Sequence, residues 1–414
     1  MSEPLVIVGN GMAATRLVDE LTRTAPGRYA ITVVGEEPSI AYNRVLLSSL
    51  LAREIEDEDL DLKPTAWWDE RRVSIVSGRQ AIGIDPKRKV VRLRGGKQLA
   101  YSKLVLATGS EPLRLPLPGA DLPGVQTFRT RTDVSTMLLR ASAKVRAVVI
   151  GGGLLGLEAA YGLKKAGAEV TIVHLMDRLM ERQLDACSAA MLKSAMEALG
   201  INVLLNAESV AVQGRRKVGG LRLADGRVVE CDLVVMAAGI RPRAGLARLA
   251  DLKVNRGIVV DDRMQTSAPD IYAIGECAEH QGICYGLVEP AYEQAAVLAR
   301  HLTGEETGYA GSLLATNLKV SGVGVFSAGD FMGAGGTEPI ILTDPEHGTY
   351  RKIVVKDGRI AGAVLLGDTT DALWYLDLIR SGAPISAMRE GLVFGRAFCS
   401  TSDTACGEPQ AEAA

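Results

Sequence analysis

Two stretches of this chain place glycines where a tight turn must deliver a strand into a helix. The first is GNGMAA, with Gly9, Gly11 and Ala14, and the second is GGGLLG, with Gly151, Gly153 and Gly156. Each follows a short β-branched run, Leu5 to Val8 and Val148 to Ile150, and each opens an amphipathic helical pattern. The chemistry that fits is the binding of a pyrophosphate. The first glycine permits the turn, the second lets backbone N–H groups approach the phosphates, and the small third residue lets helix and strand pack closely. The N-terminus of the helix adds partial positive charge. An acid about 20 residues on is expected to take the ribose hydroxyls. Glu36, following the strand pattern ITVV, fills that place for the first turn. After the second turn EVTIV (169–173) runs into His174, Leu175 and Met176 before Asp177, so Asp177 is the candidate there. Arg178 follows it and leaves the signal on a 2′-phosphate mixed.

The elements that must hold these turns are strand–helix–strand units, whose length implies parallel pairing with a right-handed crossover. Two further apolar runs, KLVLATG (103–109) and CDLVVMAAG (231–239), each end in glycine, as a buried strand does when it delivers the chain to a ligand-bearing loop. LRLPLPGADLPG (113–124) reads as a linker. Beyond 310 the pattern changes. TYRKIVVKDGRIAGAVLLG alternates around Asp357-Gly358 as a β-hairpin does, and TDALWYLDLIRSG is a helix ended by Gly382. The end, GEPQAEAA, is expected to fray. The expected fold is α/β, with two Rossmann-like dinucleotide-binding domains and a small C-terminal α+β domain. The boundaries expected are 1–115 and 239–310 for the first domain in two pieces, 116–238 for the second, and 311–414 for the third.

Length and composition agree with that division. At roughly 100–200 residues per domain, 414 residues imply two or three. With 47% hydrophobic and 23% charged residues the chain can bury a sizeable core, which excludes wholesale disorder. Lys plus Arg number 47 against 49 Asp plus Glu, so no global charge favours nucleic acid or an anionic membrane. No run approaches the ~18 uncharged residues of a membrane span. The six cysteines are irregularly spaced without a CxxC, and the four histidines show no HxxxH spacing. Idle or buried thiols in a reducing cytosol are the plain reading, and no metal site is expected.

Two dinucleotide sites in one chain specify a job. One holds a bound redox cofactor and the other a cofactor that comes and goes, and flavin with nicotinamide is the obvious pair. The order GxGxxA, YxR, ATG, GGGxxGxE, GxRP and YAIGE resembles the pyridine-nucleotide-dependent flavoprotein reductases. Within them VHLMDRLMERQLD (173–185), AIGECAEH (273–280) and YGLVEPAYEQA (285–295) are similar to the FAD/NADH portion of assimilatory nitrite reductase large subunits. Ferredoxin and rubredoxin reductases are the next resemblance.

The resemblance implies roles for named residues. Gly9, Gly11, Ala14 and Glu36 hold the adenosine half of FAD, and Arg44 of YNR faces its phosphates unless it is merely a solvated charge. Thr108 and Gly109 of ATG pass close to FAD, and Gly275 with Glu276 closes the site, Glu276 standing where most relatives carry Asp. Gly151, Gly153, Gly156 and Asp177 hold NADH, with NADPH the alternative. Glu158, the expected catalytic residue, lies on the helix that brings nicotinamide to the flavin, a surface charge being the other reading. Two departures matter. Many relatives place Lys after the YxR segment, near flavin N5, where this chain reads YNRVLLSSLLA with Ser48 and Ser49. That segment also lacks Cys, so no redox thiol is expected, and Cys277 beside Glu276 reads as packing.

The expected function is an FAD-dependent NAD(P)H oxidoreductase that passes electrons to an external redox protein, an iron–sulfur or haem reductase subunit of a nitrite or nitrate reductase system. A ferredoxin or rubredoxin reductase is the second reading and a flavin-binding sensor with little turnover the third. Cys399 and Cys406 are too few for an iron–sulfur cluster that needs four thiolates, although they could share one with a partner. The C-terminal domain, with its Trp374-Tyr375 helix, is expected to form a dimer or partner surface, with a plain core helix as the alternative.

Overall fold

The computed structural model describes residues 2–399 apart from Ala143 and Ser321. Cys406 and the GEPQAEAA end lie outside the described residues. The chain groups into two compact units, one of residues up to Val173 with Ala207–Ser312, the other of His174–Asn206 with the described residues from Leu313 on.

The first unit begins with β1 (Glu3–Val8), whose LVIV run is buried throughout, as a strand covered on both faces must be. α1 (Met12–Thr24) follows and buries Ala14, Leu17, Val18 and Leu21, one stripe at helical spacing. Then come β2 (Tyr29–Val34), the short helix α2 (Leu47–Leu51), β3 (Ser74–Val76) and β4 (Lys103–Leu106). A second cycle runs through β5 (Val125–Thr127), β6 (Arg146–Ile150), α3 (Leu154–Lys165), β7 (Glu169–Val173) and β8 (Leu233–Met236). β9 (Ile271–Ala273) and α4 (Val288–Thr303) close the unit.

All these strands pair in parallel. The first sheet runs β9-β4-β1-β2-β3, so a strand that comes after the second cycle completes it. In the second, β7-β6-β8-β5 are neighbours in that order. In each sheet the chain leaves the glycine-bearing strand to one side and later returns on the other. β1 lies between β2 and β4, and β6 between β7 and β8. Such a reversal opens a crevice at the carboxyl ends of the strands, where ligands of open α/β sheets bind. The observed strands extend the sequence runs by one or two residues at their starts, because strand ends also pair where side chains alternate or are polar.

The second unit carries an antiparallel sheet of β10 (Ala315–Val320), β11 (Val323–Gly329), β12 (Glu338–Asp344), β13 (Thr349–Lys356) and β14 (Arg359–Gly367), ordered β10-β11-β14-β13-β12. The expected hairpin is β13–β14, with Asp357 and Gly358 both at positive φ, the type I′ geometry that matches strand twist. α5 (Ala372–Ser381) packs on this sheet through Ala372, Tyr375 and Leu376 and ends at Gly382 in the left-handed conformation. Tyr375 is fully buried, and its hydroxyl donates to the Leu392 carbonyl at 2.6 Å. Leu373 on the opposite face is exposed, so the helix is a core element on one side and free surface on the other. Among the described residues no helix is long and apolar enough to cross a membrane.

Candidate functional site

Gly9 has φ +119°, and a Cβ there would lie 2.0 Å from the Ala107 carbonyl oxygen, just past the end of β4. Only glycine lets β1 pass that close to the neighbouring strand end while its own N–H bonds to Val34 O at 2.8 Å. Gly11 is different. Open space surrounds the place of its Cβ, and it caps α1 with no side-chain hydrogen bond, so the first N–H groups of the helix face that space. Ala14 is fully buried beneath it. Asn10 sits in the same turn with its Oδ1 buried and unpartnered.

The second turn repeats this construction. Gly151 has φ +124°, with a Cβ position 2.4 Å from Ala237 O. Gly153 opens on empty space and caps α3 without a side-chain bond. Gly156 presses on the turn itself, its Cβ position being 2.0 Å from Gly151 O.

Around the first turn three segments converge on Glu276. Gly275 adopts φ +78° and its N–H donates to Gln294 Oε1 at 2.7 Å, which turns the chain after β9. Glu276 Oε2 then accepts from Ser110 Oγ at 2.8 Å and pairs with the Arg129 guanidinium. Gly109 borders the same oxygen, its Cβ position lying 3.8 Å away. Arg44 reaches in from the start of the YNR turn. It pairs with Glu37, donates to the Tyr42 hydroxyl at 2.8 Å, and donates to the Arg129 carbonyl at 3.0 Å. Thus Arg44, Gly109 and Glu276 are brought together, and Arg129 is the residue that joins them. Arg129 Nε is buried without a partner.

Glu36 stands two residues beyond β2, half-exposed, in an ion pair with Arg243 at 2.9 Å. The Arg243 backbone is fixed by Thr108, whose hydroxyl donates to Arg243 O at 2.7 Å, and by Gly109 O, which accepts from Arg243 N at 2.9 Å. An exposed pair of this kind is worth about 0–1 kcal/mol, little enough to exchange for a ligand hydroxyl. Cys277 is fully buried, its thiol lying 3.4 Å from Leu106 O and 3.3 Å from Ile274 O. Burial pushes that thiol up, so it is held as a neutral packing group.

Glu158 lies in the second turn of α3. Burial pushes its carboxyl up to about 8, and a hydrogen bond with the Ser48 hydroxyl opposes the shift. The contact exists because α2 packs against α3 with no side chain on the facing residue of α3. A Cβ on Gly162 would meet Leu51 Cγ at 2.6 Å. Tyr161 adds a bond to Glu54 Oε1 at 2.8 Å. Asp177 belongs to the other unit, where both its oxygens lie 3.2 Å from Arg178 Nη1. His174 Nε2 lies 3.2 Å from Glu181 there. Among the described residues no group of three or more His, Cys, Asp or Glu is placed to hold a metal.

Arg129, Ser110, Gln294, Arg243, Glu37 and Asn10 were not singled out by sequence reasoning. Arg129 carried a usable signal. It stands two residues beyond β5, as Glu36 stands two beyond β2, and a charge just past the carboxyl end of a parallel strand points into the crevice region.

Residues 3–299 match the family described as pyridine nucleotide-disulphide oxidoreductase, and residues 315–383 match the rubredoxin NAD+ reductase C-terminal domain. The chain belongs to the pyridine nucleotide-disulphide oxidoreductase family. It is 46% identical over 383 residues to nitrite reductase [NAD(P)H] of Bacillus subtilis, covering 92% of this chain and 48% of that protein. It is 41% identical over 392 residues to the assimilatory nitrate reductase electron transfer subunit of the same organism, covering 94% and 51%. The chain therefore spans about half the length of these relatives. Among solved structures it is similar to the covalent putidaredoxin reductase–putidaredoxin complex, with a TM-score of 0.84, 26% identity, and coverage of 92% of this chain and 94% of that one. The α/β fold with two dinucleotide turns and a C-terminal α+β domain is the fold of this family.

Proposed function

We propose that the chain takes hydride from NAD(P)H onto FAD and passes electrons singly to a separate redox protein. The observation that carries this reading is the doubled turn. Two strand ends each present an uncapped helix N-terminus through a glycine whose outer side is open, and the helix of the second carries a buried acid. FAD suits the first turn, because the residues there leave polar atoms to be satisfied: Asn10 Oδ1 and Arg129 Nε are buried without partners. In this reading Gly9, Gly11, Ala14 and Glu36 receive the adenosine half, Arg44, Thr108, Gly109, Gly275 and Glu276 line the remainder, and Gly151, Gly153, Gly156 and Asp177 receive NADH in preference to NADPH. Bound FAD supplies the conversion of a two-electron donor into single-electron steps. The chain's own groups bind, orient and exclude water, and Glu158 acts at the nicotinamide. The FAD domain comprises 1–115 and 239–310, the NAD(P)H domain 116–238, and the C-terminal domain from 311 provides a dimer or partner surface.

The acceptor proposed is an iron–sulfur or haem subunit of a cytoplasmic nitrite or nitrate reductase system, supported by the similarity to the Bacillus relatives. A rubredoxin or ferredoxin reductase is the second reading, favoured by the match of residues 315–383. Purified protein should be yellow, and anaerobic NADH should bleach it without a thiolate charge-transfer band. Protein that cannot be reconstituted with FAD would sink the reading, and a charge-transfer band lost in Cys277→Ser would put a redox thiol back into it.

A further inference from the structure

The helix Arg131–Arg140 begins with a cation at its first position, where the helix dipole disfavours one. The turn before it is locked. Thr130 Oγ1 accepts from Asp133 N at 3.1 Å, and Asp133 Oδ2 accepts from the N–H groups of Arg129 and Thr130, each at 2.9 Å. From this turn Arg129 reaches Glu276, while Arg131 reaches the chain that follows the first glycine turn. Arg131 Nη2 donates to Asp61 Oδ1 at 2.5 Å and to the Asp57 carbonyl at 3.0 Å, and Nη1 lies 3.5 Å from Asp57 Oδ2. Its Cζ stands 4.9 Å from the centre of the Tyr42 ring, and that of Arg44 stands 4.8 Å from the same centre. Tyr42 is buried, and its hydroxyl donates to Glu37 Oε2 at 2.8 Å. Asp61 is held opposite Tyr42 by an antiparallel bridge. All these residues lie in the first compact unit.

We propose that Arg131 is a positioning residue: through Asp61, Asp57 and the Tyr42 ring it clasps the NAD(P)H domain to the FAD domain in the orientation that hydride transfer requires. The residues it touches belong to the proposed FAD domain, and its helix belongs to the proposed NAD(P)H domain. That helix and α3 both pack on α2, so the clasp acts beside the contact through which the second glycine turn meets the first domain. An isolated surface ion pair would carry little, but this guanidinium is only 18% exposed and engages two acids and a ring together. The other charges of the helix do not compete for these acids. Asp133 is occupied by the cap, and Arg140 is exposed at the far end. One residue separates Arg131 from Arg129, and the capping box fixes the backbone between them. A single rigid turn therefore holds both Glu276 and the segment that carries Arg44. Hydride transfer is sensitive to such placement, since an error of about 1 Å can lower a rate roughly 100-fold.

The role in hydride transfer rests on the proposed FAD and NAD(P)H sites, whereas the clasp itself is testable without either cofactor. Hydrogen exchange of the full chain reads the amides of the helix Arg131–Arg140. Arg131→Met removes a cation that the helix dipole disfavours and supplies a good helix former, so a helix standing alone would exchange more slowly. The clasp requires the reverse. Exchange should be about 10-fold faster in Arg131→Met and in Asp61→Asn, and the double variant should be little worse than either alone. In the FAD-bound protein, the limiting rate of reduction by NADH in stopped flow should fall roughly 10–100-fold in Arg131→Met, with the Kd for NADH and the retention of FAD within about twofold of the parent. Arg131→Lys, which keeps the charge but not the fork, should recover part of that rate. Exchange that is unchanged or slower overturns the clasp. Faster exchange with an unchanged limiting rate, or a loss confined to NADH affinity, makes Arg131 a stabilising group only and overturns its positioning role. If the parent cannot take up FAD, the proposed function and the role in hydride transfer fall together, and the exchange result still decides the clasp.

Discussion

At the scale of single residues, the carboxyl of Glu158 links pH to stability. Its value in the fold is raised by burial to about 8, from an ordinary 4.5. Between those values the folded chain holds a proton that the unfolded chain has released. Stability therefore falls as pH rises through that window and levels off above about 8. Glu158→Gln is close in shape and removes the titration, so its melting temperature should gain on the parent's steadily from pH 5 to pH 8. A constant offset across that range would show that the carboxyl is ionised throughout. Arg129 makes a different demand, since it pairs with Glu276 and offers its carbonyl to Arg44. Arg129→Ala removes a charged hydrogen bond from a partly buried acid, a loss of about 1.5–3 kcal/mol, so FAD should be held roughly 10–100-fold less tightly. Equilibrium dialysis against FAD measures it, and unchanged retention would remove Arg129 from the site. This residue also marks where reading the sequence stops. Gly9, Gly11 and Glu36 form a local pattern, but Arg129 and Glu276 are 147 residues apart, and nothing in either neighbourhood announces the other. Glu36 and Arg243, 207 apart, were hidden in the same way. Ser48 was visible only as a missing lysine, and its contact with Glu158 depends on how two helices meet.

At the scale of elements, legibility follows how local the physics is. The strand runs Leu5 to Val8 and Val148 to Ile150, the two glycine turns, the Asp357-Gly358 hairpin and the Gly382 stop all depend on neighbours within a few residues, and all were readable. The order of strands was not, because β9 joins β4 only after the whole second cycle has been laid down. The same distinction separates two glycines of α3. Gly156 serves its own turn, and a Cβ there would strike the backbone oxygen of Gly151 at 2.0 Å, which no side-chain rotation relieves. Gly156→Ala should shift the second turn alone: the protein stays yellow, while reduction by NADH slows at least ~10-fold, the ordinary effect of losing about 1.4 kcal/mol of binding. Loss of FAD together with NADH reduction would show that the two turns are not independent. Gly162 serves α2 instead. Overfilling such a contact costs roughly 1–3 kcal/mol, so Gly162→Val should lower stability in denaturant unfolding by about that much, and an unchanged unfolding midpoint would show that α2 and α3 can move apart freely.

At the scale of the whole molecule the proposed function turns on where electrons leave. The chain provides two places for dinucleotides, and among the described residues no set of ligands for a metal. Among the described residues Cys277 is sealed and burial raises Cys231 to about 12, well above the range of a reactive thiolate, so neither of these two is a disulfide exit. Cys399, partly buried, is likewise pushed up by burial, and its proposed companion Cys406 lies outside the described residues. An exit to a protein has a kinetic signature. Oxidation of NADH should be slow in air, should accelerate several-fold or more with ferricyanide, and should accelerate again with a reducible iron–sulfur protein at micromolar concentration. Stimulation by the protein should fall as salt rises if charge steers the encounter, whereas the rate with ferricyanide near saturation should change less. Fast, stoichiometric consumption of oxygen that no protein acceptor alters would identify an oxidase, because reduced flavin would then be meeting oxygen as its intended partner.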